Sequence, residues 1–460
     1  MRTRALSNIQ DTLVYPRGIL FRMAPRRNYV CSVVPPYLLQ ALAESGHNSD
    51  EIRQSARHCL DSNRNYITKR QRVFAQLSTP RGTRGAAASR QNKGIVSDAL
   101  LKHIAECGDV DEDTRACAKR DLEHVGNIQA KYQRSQGLRA EQKTLATSSA
   151  PAKSETTYRA VYNANNDQDE EHLPGTVVRV EGQKAVGDAA ANQAFDNAGN
   201  VLSFYFDIFN WKSIDNENQN VISSVHFGQK YENAFWDPEI EQMVYGDGHD
   251  FLGNFTNAVD VIGHELTHAV TEHTSPLDYA GQSGALNEHV SDVFGIMVKQ
   301  RVQDEKAADA DWLIGEECLM PGVKGVALRN MKAPGTAYND PRFGKDPQPD
   351  NFKNYKATSD DNGGVHLYSG IPNKAFYLTA VAFGGYSWEK AGKIWWETMQ
   401  SGQIPPKCTF VQFADVTVDK AEELFGDDAA AVVRKSWTQV GVVRKTHAWT
   451  KRFGLPSWFL

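Results

Sequence analysis

Residues 264–268 read His-Glu-Leu-Thr-His, and no other short segment restricts the chain so strongly. On a helix, positions i and i+4 share a face. His264 and His268 can therefore present both imidazoles to one metal ion, with Glu265 turned toward the same cleft. The flanks Ala258–Gly263 and Ala269–Thr271 are helix-compatible and amphipathic, which favours this reading over a helix with two surface histidines. A catalytic zinc takes three protein ligands and keeps a fourth position for water. The third ligand must come from elsewhere. Glu288 stands twenty residues after His268, in the helical segment Gly284-Ala285-Leu286-Asn287-Glu288-His289-Val290-Ser291-Asp292. Glu288 and Asp292 are four apart on one face. The first can ligate, while the second hydrogen-bonds the far nitrogen of a liganding histidine and fixes its tautomer. Spacing alone leaves His289 and His273 as competing ligands, and leaves a solvated acidic face as the plain alternative for Glu288 and Asp292.

At 460 residues the chain exceeds one ordinary domain. Its 40% hydrophobic and 23% charged residues are ordinary for a soluble globular protein. A net charge of −5 gives no reason to expect nucleic acid as a partner. No stretch approaches the roughly 18 continuous apolar residues of a membrane span, so no membrane is expected either. Residues 1–36 hold six arginines and one acid, Asp11, without the apolar core of a secretory signal. They read as an organelle transit peptide or as the basic arm of a pro-segment. Six scattered cysteines without a CxxC pair argue against a disulfide scaffold or a structural zinc module.

Two joints divide the chain. Residues 78–93 are small and Arg-rich, and residues 144–157 are small and polar around Pro151. After Tyr158, strand signals follow at Thr176–Val180, Val201–Phe209 and Val221–Phe227, and helical periodicity dominates from about Thr256. The expected organisation is a pro-region at 1–155, a β-rich lobe at 156–263, a mostly helical lobe carrying the zinc site at 264–442, and an extension at 443–460. Within the pro-region, Leu38-to-Gly46 resembles Leu100-to-Gly108, and the match continues at an offset of 62 through Arg53 and Arg115, Ala56 and Ala118, and Leu60 and Leu122. Each copy, at about 35–70 and 97–132, reads as a helix stopped by glycine and followed by a second helix. Pro35-Pro36-Tyr37 leads into the first copy, whereas Ser97-Asp98-Ala99 stands in the second.

With these segments placed, residues 158–442 resemble the thermolysin-like neutral metallopeptidases, family M4. The matching motifs are Asn233-Ala234-Phe235-Trp236, Met243-to-Gly248, the two zinc segments, and Asp361-Asn362-Gly363-Gly364-Val365-His366 with Ser369-Gly370-Ile371. The resemblance implies an α+β, two-lobed fold, with a β-rich lobe, a mostly helical lobe and the zinc helix between them, preceded by a helical pro-region. It implies a zinc endopeptidase made as a precursor, which cuts peptide or protein substrates before bulky apolar residues. Glu265 is then general base and proton shuttle. His366 and Tyr279 stabilise the oxyanion, with Asp361 orienting His366. Asn233 and the Ala234 backbone hold the peptide, and Arg329 binds a substrate carbonyl. Val261, Ile314 and Leu328 line an apolar pocket for the side chain after the scissile bond. The chemistry is consistent on its own terms: zinc lowers the pKa of bound water to about 7, and a nearby glutamate moves the proton.

The chain departs from the family pattern near the zinc helices. Asp260, Asp311 and Glu316 occupy positions of a double calcium site, but Lys299 stands where the family has glutamate, and Leu313 fills another ligand position. Calcium needs six to eight oxygen ligands, so Lys299 is expected to replace Ca2+ and pair with the three carboxylates. Lys299, and Pro35-Pro36-Tyr37-Leu38-Leu39, resemble the protealysin-like branch, whose pro-region is an intramolecular inhibitor. Cys31, four residues before Pro35, reads as a small buried hydrophobe, or as a switch whose thiolate replaces the zinc water. The family resemblance implies secretion, with the cytoplasm as the alternative. The competing functional reading is a latent or inactive zinc-binding precursor that acts as an interaction protein.

Overall fold

The computed structural model of the chain describes residues 34–61, 157–237, 240–342 and 344–442. Cys31, the second repeat copy and the extension at 443–460 lie outside the described residues.

The first repeat copy is a helical hairpin. Helix α1 (Pro36–Glu44) begins with proline at its first position, where the missing N–H has no helical partner to lose. Helix α2 covers 50–61. The turn between them is closed by Asn48 Nδ2, which donates to Leu42 O at 2.8 Å. Leu38, Leu39, Leu42, Ala43, Ala56, Cys59 and Leu60 are buried and belong to the same apolar core as the rest of the chain.

The next lobe is built on five strands: β1 (Arg159–Asn163), β2 (Thr176–Val180), β3 (Val221–Val225), β4 (Ala234–Asp237) and β5 (Gln242–Tyr245). Their order in the sheet is β2-β1-β3-β5-β4. Strands β1, β3 and β5 run parallel, while β2 and β4 pair antiparallel at the two edges. A parallel step from β1 to β3 needs a crossover, and the 21-residue helix α3 (Ala189–Phe209) supplies it. The strand expected at Val201–Phe209 is thus the last part of a helix. Buried residues at 191, 194, 195, 198, 201, 204 and 205 recur with helical spacing, and Asp188 caps the N-terminus by accepting from Ala191 N. The β-branched and aromatic residues of 201–209 show this period only when read together with 189–200.

Helix α4 (Val259–His273) carries the His-Glu-Leu-Thr-His segment, and helix α5 (Gly281–Gln303) carries Glu288. A short hairpin, β6 (Leu313–Ile314) with β7 (Arg329–Asn330), lies beside them. Five helices complete the second lobe: α6 (Asp361–Tyr368), α7 (Gly370–Phe383), α8 (Ala391–Gln400), α9 (Phe410–Phe425) and α10 (Asp427–Gln439). Helix α9 starts with a capping box between Thr409 and Gln412. Trp395 of α8 stacks on Trp437 of α10 with ring centroids 6.1 Å apart, and Phe376 of α7 meets Trp395 edge-on at 5.0 Å.

Every residue of α5 from Ser283 to Gln300 is buried, including seven with polar or charged side chains between Asn287 and Gln300. Polar groups survive such burial only when bonded. The crossing with α4 supplies partners to Asn287, Glu288, Ser291 and Asp292, while His289, Lys299 and Gln300 find theirs on other elements. Gly263 and Gly295 face each other at the crossing: a Cβ on Gly263 would lie 3.0 Å from Gly295 Cα, and one on Gly295 would lie 2.5 Å from Asp260 O. Backbone contact at this point lets Glu288 and Asp292 reach His264. Gly295→Ala should therefore lower thermal stability, because overpacking of about 1–3 kcal/mol outweighs the helix-propensity gain of about 1 kcal/mol. A raised melting temperature would contradict the close crossing.

Candidate active site

Three side chains meet where α4 and α5 cross. His264 Nε2 and His268 Nε2 are 3.1 Å apart. Glu288 Oε2 is 3.4 Å from the first, and Glu288 Oε1 is 3.8 Å from the second. The far nitrogens are committed elsewhere. His264 Nδ1 donates to Asp292 Oδ1 at 2.8 Å, and His268 Nδ1 donates to Asn287 Oδ1 at 2.7 Å, with Ser291 Oγ at 3.1 Å. Each Nδ1 therefore carries its proton, and each Nε2 faces the other ring and Glu288, where a bound metal would take both lone pairs. Two facing lone pairs beside a carboxylate require a cation. The 3.1 Å separation is close to the edge of about 3.3 Å expected for two nitrogens bound tetrahedrally to zinc. Among the described residues, His264, His268 and Glu288 are the one group arranged to hold a metal ion.

The electrostatics agree. Burial opposes charge on His264, yet its bonds to Asp292 and Glu288 raise it to about 9. Burial lowers His268, beside neutral Asn287, to about 3. Burial also works against charge on Glu288, but His366 and His264 hold it well below the usual carboxylate range. The pocket thus calls for one positive centre between the imidazoles. Of the alternative ligands, His289 is fully bonded away from the site: Nδ1 to Asn373 Oδ1 and Nε2 to Trp395 Nε1, both at 2.8 Å. His273 is outside the metal-ligand group.

Glu265 is fully buried beside the cluster, and burial raises it to about 8. Its Oε2 accepts from Trp236 N at 3.0 Å, which fixes strand β4 against the zinc helix. Asn233 immediately precedes β4, and its Oδ1 accepts from Ala234 N at 2.9 Å. Strand β4 ends the sheet, so an extended peptide can pair with its outer edge.

His366 also reaches the cluster. Residues Asp361 to Gly364 all have left-handed backbone, with φ of +50°, +52°, +90° and +78°. The two glycines are required: a Cβ on Gly363 would meet Gly281 N at 2.8 Å, and one on Gly364 would meet Tyr368 at 2.6 Å. This turn folds Asp361 back to accept from His366 N at 2.9 Å and from His366 Nδ1 at 2.7 Å. Burial works against charge on His366, but Glu288 and Asp361 raise its pKa, which favours the imidazolium over the neutral ring. His366 Nε2 is 3.4 Å from Glu288 Oε2 and 3.4 Å from the Tyr279 hydroxyl, which itself donates to Glu288 Oε1.

Arg329 of β7 is buried and grips Asp292 twice, Nη2 to Oδ1 at 2.7 Å and Nε to Oδ2 at 2.9 Å. Val261, Ile314 and Leu328 are all buried and adjoin one another. Asp260, next to Val261, accepts from Gly315 N at 2.8 Å, and Leu328 N donates to Ile314 O at 3.0 Å. Lys299 Nζ sits 3.2 Å from Asp311, 3.1 Å from Glu316 and 3.2 Å from Leu313 O. Asp260 makes no hydrogen bond to it, since its oxygens accept from Gly315 N and Val261 N, but its charge is the largest one supporting the Lys299 ammonium.

Several contributors were not read from the sequence. Asn287 and Ser291 repeat the spacing of Glu288 and Asp292 one position earlier, which is the signal that would have paired them with His268. Asn373 and the Trp236 backbone are distant in sequence and carry no local signal.

Comparison with known proteins bears directly on this geometry. Residues 127–272 match the model of the thermolysin metallopeptidase catalytic domain, and 275–442 match that of its alpha-helical domain. The chain belongs to the thermolysin family of metallopeptidases. Residues 93–137 match the protealysin propeptide, which covers the second repeat copy. This thermolysin-family chain is 48% identical to Protease PrtS of Photorhabdus sp. over 293 residues, 63% of this chain and 77% of that protein. It is 44% identical over 355 residues to an extracellular metalloprotease of Pectobacterium carotovorum subsp. carotovorum, covering 77% and 97% of the two chains. Among solved structures, the precursor of protealysin from Serratia proteamaculans superposes with a TM-score of 0.61 at 43% identity, over 76% of this chain and 99% of that one. The chain is thus a zinc-dependent metalloendopeptidase made with a propeptide, and nothing favours the inactive interaction protein as an alternative.

Glu232, next to Asn233, offers a pH test of the clamp. It is buried, and burial raises its pKa from 4.5 to about 7, although Phe251 N and Leu252 N donate to it. An acid with a raised folded pKa favours folding when protonated. That contribution is complete below about 4.5 and is lost as pH rises through about 7. Glu232→Gln should therefore raise the melting temperature at pH 8 relative to wild type, with a smaller difference at pH 4.5. A difference independent of pH would contradict this assignment.

Proposed function

We propose that the enzyme hydrolyses internal peptide bonds before bulky apolar residues, with the site residues acting as follows. The substrate strand pairs with the edge of β4, held by Asn233 and the Ala234 backbone. Arg329, anchored on Asp292, binds a substrate carbonyl. The aliphatic pocket of Val261, Ile314 and Leu328 takes the side chain after the scissile bond. His264, His268 and Glu288 would hold a zinc ion, which would supply a water of lowered pKa and polarise the carbonyl. Glu265 takes the proton from the attacking water and gives it to the leaving amine. His366, kept protonated at Nε2 by Asp361, and the Tyr279 hydroxyl donate to the developing oxyanion. The carrying observation is that Glu265, tied to Trp236 N of β4, and His366, 3.4 Å from Glu288 Oε2, both lie beside the His264–His268–Glu288 group. Glu265→Gln should keep about one zinc per chain and lose about 10²–10⁴ in kcat. Full activity in that variant, or loss of its zinc, would contradict the role of Glu265.

Latency has a structural candidate in the first repeat copy. Val34 N donates to Asn233 Oδ1 at 3.0 Å, a bond of the kind assigned to substrate backbone. The Tyr37 hydroxyl is buried near Tyr338, Asp346, Asp361 and Arg329. The hairpin also bonds both lobes: Ser55 Oγ to Lys230 O at 3.1 Å on one side, Ser45 Oγ to Pro341 O at 3.1 Å and Asn48 Nδ2 to Arg342 O at 2.9 Å on the other. We assign inhibition to this copy, because the second has Ala99 in place of Tyr37. Tyr37→Ala in the full chain should raise peptide hydrolysis toward that of a form lacking residues 1–155. Unchanged latency would place the inhibitor elsewhere.

Lys299 takes the place of calcium in this reading, with its ammonium held by Asp311, Glu316 and the Leu313 carbonyl. Added calcium should leave the melting temperature unchanged, and tight binding with a large rise in calorimetry would contradict it. Export from the cell is also proposed, on the strength of the relative named as an extracellular metalloprotease. Among the described residues, no helix is long and apolar enough to cross a membrane.

A further inference from the structure

A line of buried polar groups runs from the core of the second lobe to His264. Trp395 Nε1 donates to His289 Nε2 at 2.8 Å. His289 Nδ1 meets Asn373 Oδ1 at 2.8 Å, and Asn373 Nδ2 donates to Asp292 Oδ2 at 2.8 Å. Asp292 Oδ1 then accepts from His264 Nδ1 at 2.8 Å. All five side chains are at most 1% exposed.

The line has one direction only. An indole N–H donates and cannot accept, so His289 Nε2 must be the acceptor. His289 Nδ1 then carries the proton, which turns the carbonyl oxygen of Asn373 toward His289 and its amide toward Asp292. A carboxylate ends the line because it only accepts. Asp292 is thereby held on both oxygens, by Arg329 and Asn373 on Oδ2 and by Arg329 and His264 on Oδ1. Arg329 and Asp292 alone could swing as a planar pair, and the Asn373 amide prevents it. The far end is rigid, since Trp395 is stacked on Trp437 and wedged by Phe376.

We propose that Trp395, His289 and Asn373 are positioning residues that fix Asp292, and through it the His264 nitrogen offered to the metal. This rests on the reading that His264, His268 and Glu288 hold zinc. Outer partners of metal ligands typically contribute about 10–100-fold in metal affinity. The three residues act at two to four hydrogen bonds' distance from the ligand nitrogen, yet no mobile group interrupts the line.

The test is zinc affinity of the full chain, measured by competition with a fluorescent chelator, together with the melting temperature of the metal-free protein. Asn373→Leu and His289→Leu should each weaken zinc about tenfold. Trp395→Phe removes the indole N–H together with part of a buried ring. It should weaken zinc in the same direction and, because of the cavity, also lower the metal-free melting temperature, so its zinc affinity is the deciding readout. His289→Gln should recover most of the loss, because an amide can accept from Trp395 and donate to Asn373. A purely structural role would lower the melting temperature and leave the zinc affinity of the folded protein intact. Wild-type affinity in Trp395→Phe would overturn the proposal even if the leucine variants fail to fold. Absence of tight zinc binding in the wild type would overturn the underlying metal assignment and this inference with it.

Discussion

The contact on which the structure depends is the crossing of α4 and α5 at Gly263 and Gly295. Two helices that meet backbone to backbone at these glycines bring polar side chains of α5 within reach of the histidines of α4, beside apolar contacts such as Val298 against Gly263. Burial of the polar side chains would be prohibitive one at a time. Those at the metal group are stable as a set because they pair with one another: His264 with Asp292, His268 with Asn287, and Asp292 with Arg329. The same bonds that satisfy buried polarity fix both histidine tautomers. The metal site is therefore a consequence of how the two helices pack.

The two lobes serve this crossing from either side. The sheet supplies an edge strand, and its backbone is tied to Glu265 through Trp236 N. The second lobe supplies His366 through a left-handed turn that only a glycine-rich segment can make. The first repeat copy meets both lobes. One of its contacts, Val34 N to Asn233 Oδ1, falls on a group that the proposed mechanism assigns to substrate.

Much of the site was legible in the sequence because helical geometry converts spacing into direction. His264 with His268, and Glu288 with Asp292, lie four apart, and the structure brings all four together. Asp361 and His366 were legible through the family motif, and the turn between them explains its glycines. Lys299 was read as a replacement cation with three carboxylates; two of them bond it, while Asp260 is occupied by backbone N–H groups of Val261 and Gly315. Residues 201–209 were misread as a strand because nine β-prone residues mask a helical period that spans twenty-one. Asn373 and Trp395 could not be read at all, since their partners are 81 and 106 residues away.

The central claim is that this helix crossing forms a zinc site from His264, His268 and Glu288. Anomalous scattering from crystals of the full chain, recorded on both sides of the zinc absorption edge, tests it most directly. The account predicts one strong peak at about 2.0–2.2 Å from both Nε2 atoms and a Glu288 oxygen, with Asp292 and Asn287 still bonded to the Nδ1 atoms. No peak there, or a peak whose ligands include His289 or His273 in place of Glu288, would contradict it.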